Sequence, residues 1–266
     1  MGNWYNDTGS PLSSTQWLMA HHLAKLPERT KFAQRLAERR PHVLVDLGCG
    51  PGIWMELLNT HMPTSCRFIG LDADGNALSE ARQRSSEWER EVEFQQLDIG
   101  RNAEEIPSAD MYLAFNIFPY LDDIASFISV LKAKLNPGGC IVIRQYDGSM
   151  LRIGPMEPAI RIEMDLSLQA AVLNSEQFRH YDLDRVFSAI YAAPNTNVEV
   201  GFDTVTRVTP YPTEFLPYLR NTVGWSRQHI SEKAGKLLDK WTHLHLDAAQ
   251  PAPSYFSGTD LVAILS

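Results

Sequence analysis

The decapeptide from Val43 to Gly52, Val-Leu-Val-Asp-Leu-Gly-Cys-Gly-Pro-Gly, constrains the chain more than any other stretch. Val43, Leu44 and Val45 make the short β-branched and apolar run of a buried parallel strand. Asp46 closes that strand, and Gly48, Gly50 and Gly52 follow at every second position. Glycines so spaced permit positive φ and let a ligand approach the bare backbone. The apolar run Ile53 to Leu58 reads as a helix whose N-terminal amides face whatever the loop holds. A nucleotide-type ligand is implied, yet the dinucleotide fingerprint needs a third glycine where this chain has Ile53. The pattern is D-x-G-x-G-x-G. An acid directly before the loop sits badly beside a pyrophosphate and suits an ammonium group, so the loop reads as a holder for a nucleoside with a cationic tail.

Size and charge narrow the class. With 266 residues, 44% hydrophobic, the chain is long enough for one sizeable domain or a domain with an embedded cap. A formal net charge of -8 argues against a phosphate-tracking surface, which needs clustered Lys and Arg. A small-molecule partner is expected, with no nucleic acid and no membrane; a homodimer is left open. Cys49, Cys66 and Cys140 show no C-x-x-C spacing and read as reduced thiols of a cytoplasmic protein. The polar N-terminus lacks a signal core and a myristoylation pattern, and no apolar run approaches spanning length.

From Asp46-Leu47-Gly48-Cys49-Gly50-Pro51-Gly52 and three later stations, the chain resembles the class I S-adenosylmethionine-dependent methyltransferases. The resemblance is good over residues 40 to 147 and holds in outline beyond. It implies an α/β fold: a doubly wound, mostly parallel, seven-stranded Rossmann-like sheet with an antiparallel last strand and helical caps. It also implies S-adenosyl-L-methionine as cofactor and S-adenosyl-L-homocysteine as product. The implied cofactor residues begin with Asp46, Gly48, Cys49, Gly50 and Gly52. Arg67 to Asp72 is the second strand, and Asp72, about 20 residues past the loop, is placed for the ribose hydroxyls, with Ala73 beside it. Asp74 and Asn76 read as helix caps. After the third strand, Val92 to Leu97, the resemblance gives Asp98 to the adenine amino group and Ile99 to the ring. After the fourth, Met111 to Asn116, it gives Asn116 and Ile117 to the methionine end. Asp122 and Asp123 cap a helix through Leu135, which Asn136-Pro137-Gly138-Gly139 ends.

The remainder divides into expected pieces. Residues 1–40 form an N-terminal helical lid, broken at Pro27, with Leu18, Met19, His22, Leu23 and Leu26 on one face. Trp4, Tyr5 and Trp17 either close over the cofactor mouth or anchor the first helix to the core. Residues 41–150 hold the cofactor-binding core, 151–197 a helical cap, and 198–266 the last two strands with a helical insertion at 210–250. Val198 to Val208 alternates as a strand, and Asp260 to Leu265 returns antiparallel to it. His243 and His245 read as solvated helix histidines, and no metal is expected.

Methyl transfer is an in-line displacement at a sulfonium carbon, so positioning and water exclusion dominate. A base is needed where the acceptor keeps its proton. Asp147 is the best candidate, with Tyr5 and Tyr120 as orienting or proton-passing groups. Arg144 and Tyr146 at the end of the fifth strand, His180 in the cap, and Phe215 and Trp225 in the insertion are expected to meet the acceptor. The Trp- and Tyr-rich caps favour an aromatic or indole-like heterocycle of secondary metabolism, its C, N or O acceptor atom open. Nucleobase amines are disfavoured, since Phe118-Pro119-Tyr120 does not supply N/D-P-P-Y/F. The alternatives are a protein of this fold that binds the cofactor without transferring its methyl, as a scaffold or cyclase, and, less favoured, a nucleic-acid methyltransferase.

Overall fold

The computed structural model describes residues 14–148, 150–174, 183–192 and 197–266. Two helices come first, α1 (Thr15–Ala24) and α2 (Leu26–Ala37), with Ser14 accepting the Trp17 N–H at the start of α1. The alternating core follows as β1 (Val43–Leu47), α3 (Ile53–Asn59), β2 (Arg67–Asp72), α4 (Gly75–Arg84), β3 (Val92–Gln96), β4 (Ala109–Phe115), α5 (Ile124–Lys134) and β5 (Leu135–Tyr146). Asp74 and Asp123 cap α4 and α5, accepting the N–H groups of Asn76 and Ser126. A short strand β6 (Arg152–Gly154) leads to α6 (Pro158–Asn174), and then come α7 (Leu183–Ala192) and β7 (Val198–Val208). Two helices, α8 (Leu216–His229) and α9 (Glu232–Thr242), a π-helical turn His243–Asp247 and β8 (Tyr255–Leu265) complete the chain.

The strands join in the order β3-β2-β1-β4-β5-β8-β6, with β7 on the other edge of β8. β1 to β5 are mutually parallel, and β8 runs antiparallel to β5, β6 and β7. β8 is twice used along one edge: Asp260 to Leu265 pairs with β5, and Tyr255 to Ser257 pairs with β6. The eighth strand, β6, was not expected from sequence, because three residues carry no usable period. β8 likewise starts five residues before the expected Asp260, since Ser257-Gly258-Thr259 hides its alternation.

Each face of the sheet carries its own core, as strands buried on both sides require. On one face Val45, Leu47, Tyr112 and Ile141 pack against α5 and Val186 and Ile190 of α7. On the other Leu44, Phe68, Leu113 and Val142 meet Phe32, Leu36, Met55, Leu58 and Leu78 from α2, α3 and α4. A third core holds the cap together, joining Ile153 to Met164 and Leu168 of α6, Phe215 before α8, Tyr218 and Leu219 of α8, and Leu238 and Trp241 of α9. Two expectations are corrected here. α1 buries His21, His22 and Ala24 while Leu23 is exposed, and Lys25 at its end is tied to Asp260 by a buried ion pair. His245 is also buried, tilted against Trp241 with ring centroids 4.9 Å apart and Nδ1 3.0 Å from the Ala252 carbonyl.

Candidate active site

The carboxyl ends of the parallel strands open on one side of the sheet, where ligands of such folds sit. The loop after β1 turns there with positive φ at Gly48 (67°), Gly50 (53°) and Gly52 (76°). At Gly48 a Cβ would lie 2.7 Å from Ile117 Cγ2, so this position needs glycine for both backbone and space. Asp72, at the end of β2, braces the loop: one carboxylate oxygen accepts the Gly50 N–H at 2.7 Å and the other the Asp74 N–H at 2.9 Å. Asp46 is buried beneath the loop, and burial together with the nearby Asp72 charge pushes its carboxyl up to about 8.

A cavity of about 1180 Å³ runs from this loop towards α8. Gly48, Cys49, Gly50, Asp72, Ala73, Asp98, Ile99, Asn116 and Ile117 all line it. Asp46 and Gly52 are not among the lining residues; Gly52 backs onto α4, its virtual Cβ 3.2 Å from Ala81 Cβ. Asp98 accepts the Gly100 N–H at 3.1 Å. Asn116 holds φ 57°, donates its N–H to the Arg144 carbonyl at 2.8 Å and accepts the Tyr146 N–H on its side chain at 2.8 Å. That pair of bonds locks the ends of β4 and β5 together.

On the far side Tyr120, Tyr146 and Trp225 line the same cavity. Arg144 does not. It is buried on the α2 face, over the Phe32 ring at 5.1 Å, and donates to Asp260 from Nε at 2.9 Å and from Nη2 at 2.7 Å, with Nη1 on Asp203 at 2.8 Å. The expectation of an acceptor-binding arginine at 144 is therefore corrected to an ion-paired one. Phe215 is corrected in the same way, being fully buried in the cap core against Tyr218 and Phe256. Asp147 donates its N–H to the Thr259 carbonyl at 3.0 Å and is not among the lining residues. Tyr5 and His180 lie outside the described residues.

Trp17 of α1, expected either over the cofactor mouth or as an anchor, lines the cavity, and several lining residues had no sequence-based assignment to the site: α1 brings Leu18 and His21, α2 brings Arg29, and α8 adds Thr222 and Ser226. His21 stacks on Tyr218 at 5.0 Å and meets Tyr146 edge-on at 5.7 Å. Burial, reinforced by the Lys25 and Arg29 charges, holds its imidazole well below its ordinary value and so neutral. Behind it Lys25 donates to Asp260 at 2.9 Å and lies 4.3 Å from the Tyr146 ring centre. The signal available was His21, Lys25 and Arg29 at successive four-residue steps, one face of a helical path. Among the described residues, no group of three or more His, Cys, Asp or Glu is placed to hold a metal.

A glycine loop with an acid beneath it, an acid at the end of the second strand and a cavity at the carboxyl edge resemble the site of class I S-adenosylmethionine-dependent methyltransferases. Residues 45–141 match the family described as "Methyltransferase domain". Two relatives are similar to this chain: trans-aconitate 2-methyltransferase of Methylobacterium nodulans, 36% identical over 135 residues, and that of Azoarcus sp., 34% identical over 138 residues. The first match covers 49% of this chain and 50% of the relative, the second 49% and 52%. The chain thus spans about half the length of the curated relatives it matches. Among solved structures, the YcgJ protein from Bacillus subtilis superposes with TM-score 0.54 at 15% identity, over 90% of this chain and 97% of that one. A SAM-dependent methyltransferase from Thiobacillus denitrificans in complex with S-adenosyl-L-homocysteine gives TM-score 0.50 at 15% identity, over 92% and 96%. At such identities the likeness is one of fold.

Proposed function

We propose that the whole chain transfers the methyl group of S-adenosyl-L-methionine to a small molecule. The single observation that carries this reading is the continuity of the cavity. One end is the glycine loop with Asp72, Asp98 and Asn116; the other is walled by Trp17, Tyr146 and Trp225. At about 1180 Å³ it exceeds the roughly 300–1,000 Å³ of a pocket for one drug-sized ligand, leaving room for cofactor and acceptor together. The residues suit the cofactor: Gly48 admits a close approach, Asp72 retains acceptor capacity for ribose hydroxyls, and Asp46 beneath the loop gains charge once a cationic ligand draws off its proton.

The cofactor supplies a methyl group on an electrophilic sulfonium. The chain has to orient the acceptor atom in line with that methyl and exclude water. Tyr146, backed by Lys25 and locked to Asn116, is the rigid positioning surface between the two ends, and aromatic faces at this end suit a cationic centre. Tyr120, on the short helical turn Phe118–Tyr120, borders the same space from the exposed side.

For the acceptor, the aromatic walls favour an aromatic or indole-like heterocycle. A second reading, an organic acid, is favoured by the name of the relatives and by the presence of Arg29 in the cavity wall. We further assign the enzyme to the cytoplasm and to secondary metabolism. The test is release of S-adenosyl-L-homocysteine with panels of indoles, phenols and organic acids. Turnover with any acceptor supports transfer; tight cofactor binding with no turnover across the panels would favour a scaffold.

A further inference from the structure

The sheet ends on a strand that uses only one of its two edges. β7 runs for 11 residues and, among the described residues, pairs with β8 alone. Asn197 exchanges both backbone hydrogen bonds with Ser266, and the Thr209 N–H donates to the Ser254 carbonyl. Between those points the register, Val198↔Leu265 through Val208↔Tyr255, is unbroken. Odd-numbered residues therefore turn their N–H and C=O groups to β8, because the two directions alternate along an antiparallel strand. Val198, Val200, Phe202, Thr204, Thr206 and Val208 aim theirs at the open edge.

Natural edges are guarded by bulges, prolines, lysines or short length. β7 has none of these. Phe202 and Val208 stand 57% and 66% exposed on it, and a Cβ added at Gly201 would meet nothing within 4 Å.

Charge selects the partner. Full antiparallel overlap of β7 with a second β7 centres on Asp203, and in that register every outward-facing residue of each copy finds a partner. It sets Glu199 opposite the copy's Arg207 at both ends, in the non-hydrogen-bonded positions where side chains come closest. Glu199 is an exposed acid 3.6 Å from Arg39, and Arg207 is fixed by two bonds to Glu28 at 2.8 and 2.9 Å. Asp203 meets its own copy at the centre, where Arg144 Nη1 already donates to it at 2.8 Å. Val198 covers the copy's Val208, and the two Phe202 rings become diagonal neighbours within aromatic reach. Backbone bonding, opposite charges and apolar cover coincide in one register.

We propose that the open edge of β7 is the interface of a homodimer, in which two copies join their sheets through antiparallel β7 strands. The inference stands apart from the methyltransferase reading, since no β7 residue lines the cofactor cavity.

The test is sedimentation equilibrium of the full chain from micromolar to millimolar concentration, with amide hydrogen exchange along β7 read residue by residue by NMR. The expected result is a species of twice the chain mass. As it forms, the amides of Val200, Phe202, Thr204 and Thr206 gain protection on the order of tenfold or more, while the odd-numbered amides are protected at every dilution. Thr204→Pro removes one outward N–H and spares the ladder to β8. Repeated by the two-fold, that loss should weaken association on the order of a hundredfold, with S-adenosyl-L-homocysteine affinity unchanged. Glu199→Lys, at an exposed side chain, should weaken association more at low salt than at high salt. A monomer at every concentration overturns the interface, whatever other extended segment the edge then accepts. So does a dimer that survives Thr204→Pro or leaves the even-numbered amides in free exchange. Even-numbered amides protected in a monomer overturn it too, by showing that the chain covers its own edge. Should Thr204→Pro fail to fold, the wild-type exchange pattern decides alone.

Discussion

Asp46 retains its proton to about pH 8 because it is buried and faces the Asp72 charge. Between the ordinary carboxylate value and about pH 8, only the folded chain holds that proton. This group therefore lowers the stability of the ligand-free protein as pH rises through that window. A cationic ligand favours the ionised form and reverses the balance. Cofactor affinity should rise from pH 6 to pH 8 with release of a proton, and Asp46→Asn should bind more weakly and without that dependence. Calorimetric titrations at the two pH values decide it; a pH-independent wild type would place the cation elsewhere. Asp260 behaves oppositely. The Lys25 and Arg144 charges outweigh its burial and hold its carboxyl far below the usual range, so its contribution is present above about pH 4 and is lost as pH falls towards the folded value. Asp260→Asn leaves two buried cations short of charge and should cost about 3–5 kcal/mol, read from urea unfolding at neutral pH. Unchanged stability would mean that the cluster is not held by charge.

The glycine loop and the cap report on two different kinds of information. The loop was legible because its requirements are local: three glycines and Asp46 within one strand-turn-helix, with Asp72 at the end of the next strand, fix where the backbone must bend. Gly48→Ala should cost about 1–3 kcal/mol from the strained backbone, with further loss from the contact to Ile117, and should weaken cofactor binding. Wild-type melting and affinity in that variant would contradict the close packing. The acceptor end was only partly legible. Tyr146 and Trp225 were expected there and do line the cavity, but Arg144 and Phe215 were assigned from proximity to a strand end and a helix, without knowledge of the far partners that claim them. Lys25 meets Asp260 across 235 residues of sequence, and no local pattern announces such a bond. For the same reason α1 was oriented by its leucines, whereas it buries His21 and His22 and ends on Lys25, paired with Asp260. At this scale Trp225→Ala should raise the acceptor KM on the order of tenfold, as expected for removing a large aromatic contact, with cofactor affinity unchanged. An unaltered KM would remove α8 from the acceptor wall.

The molecule as a whole couples its two ends through one sheet. β8 pairs with β5 next to the cavity and carries Asp260, which anchors α1 through Lys25, so the N-terminal helices are tied to the same frame as the cofactor loop. The parallel character of the first five strands was implied by the family resemblance; the doubled use of β8 was not, because it depends on chain closure. The central claim is that the loop, Asp72 and the cavity between them hold S-adenosyl-L-methionine. The most direct measurement is a calorimetric titration of that compound against wild type and Asp72→Ala. The account predicts wild-type binding at the micromolar level, about -8 kcal/mol, and a clear loss in the variant, which sacrifices both the ribose contact and the brace on Gly50. No binding, or binding indifferent to Asp72, would contradict it.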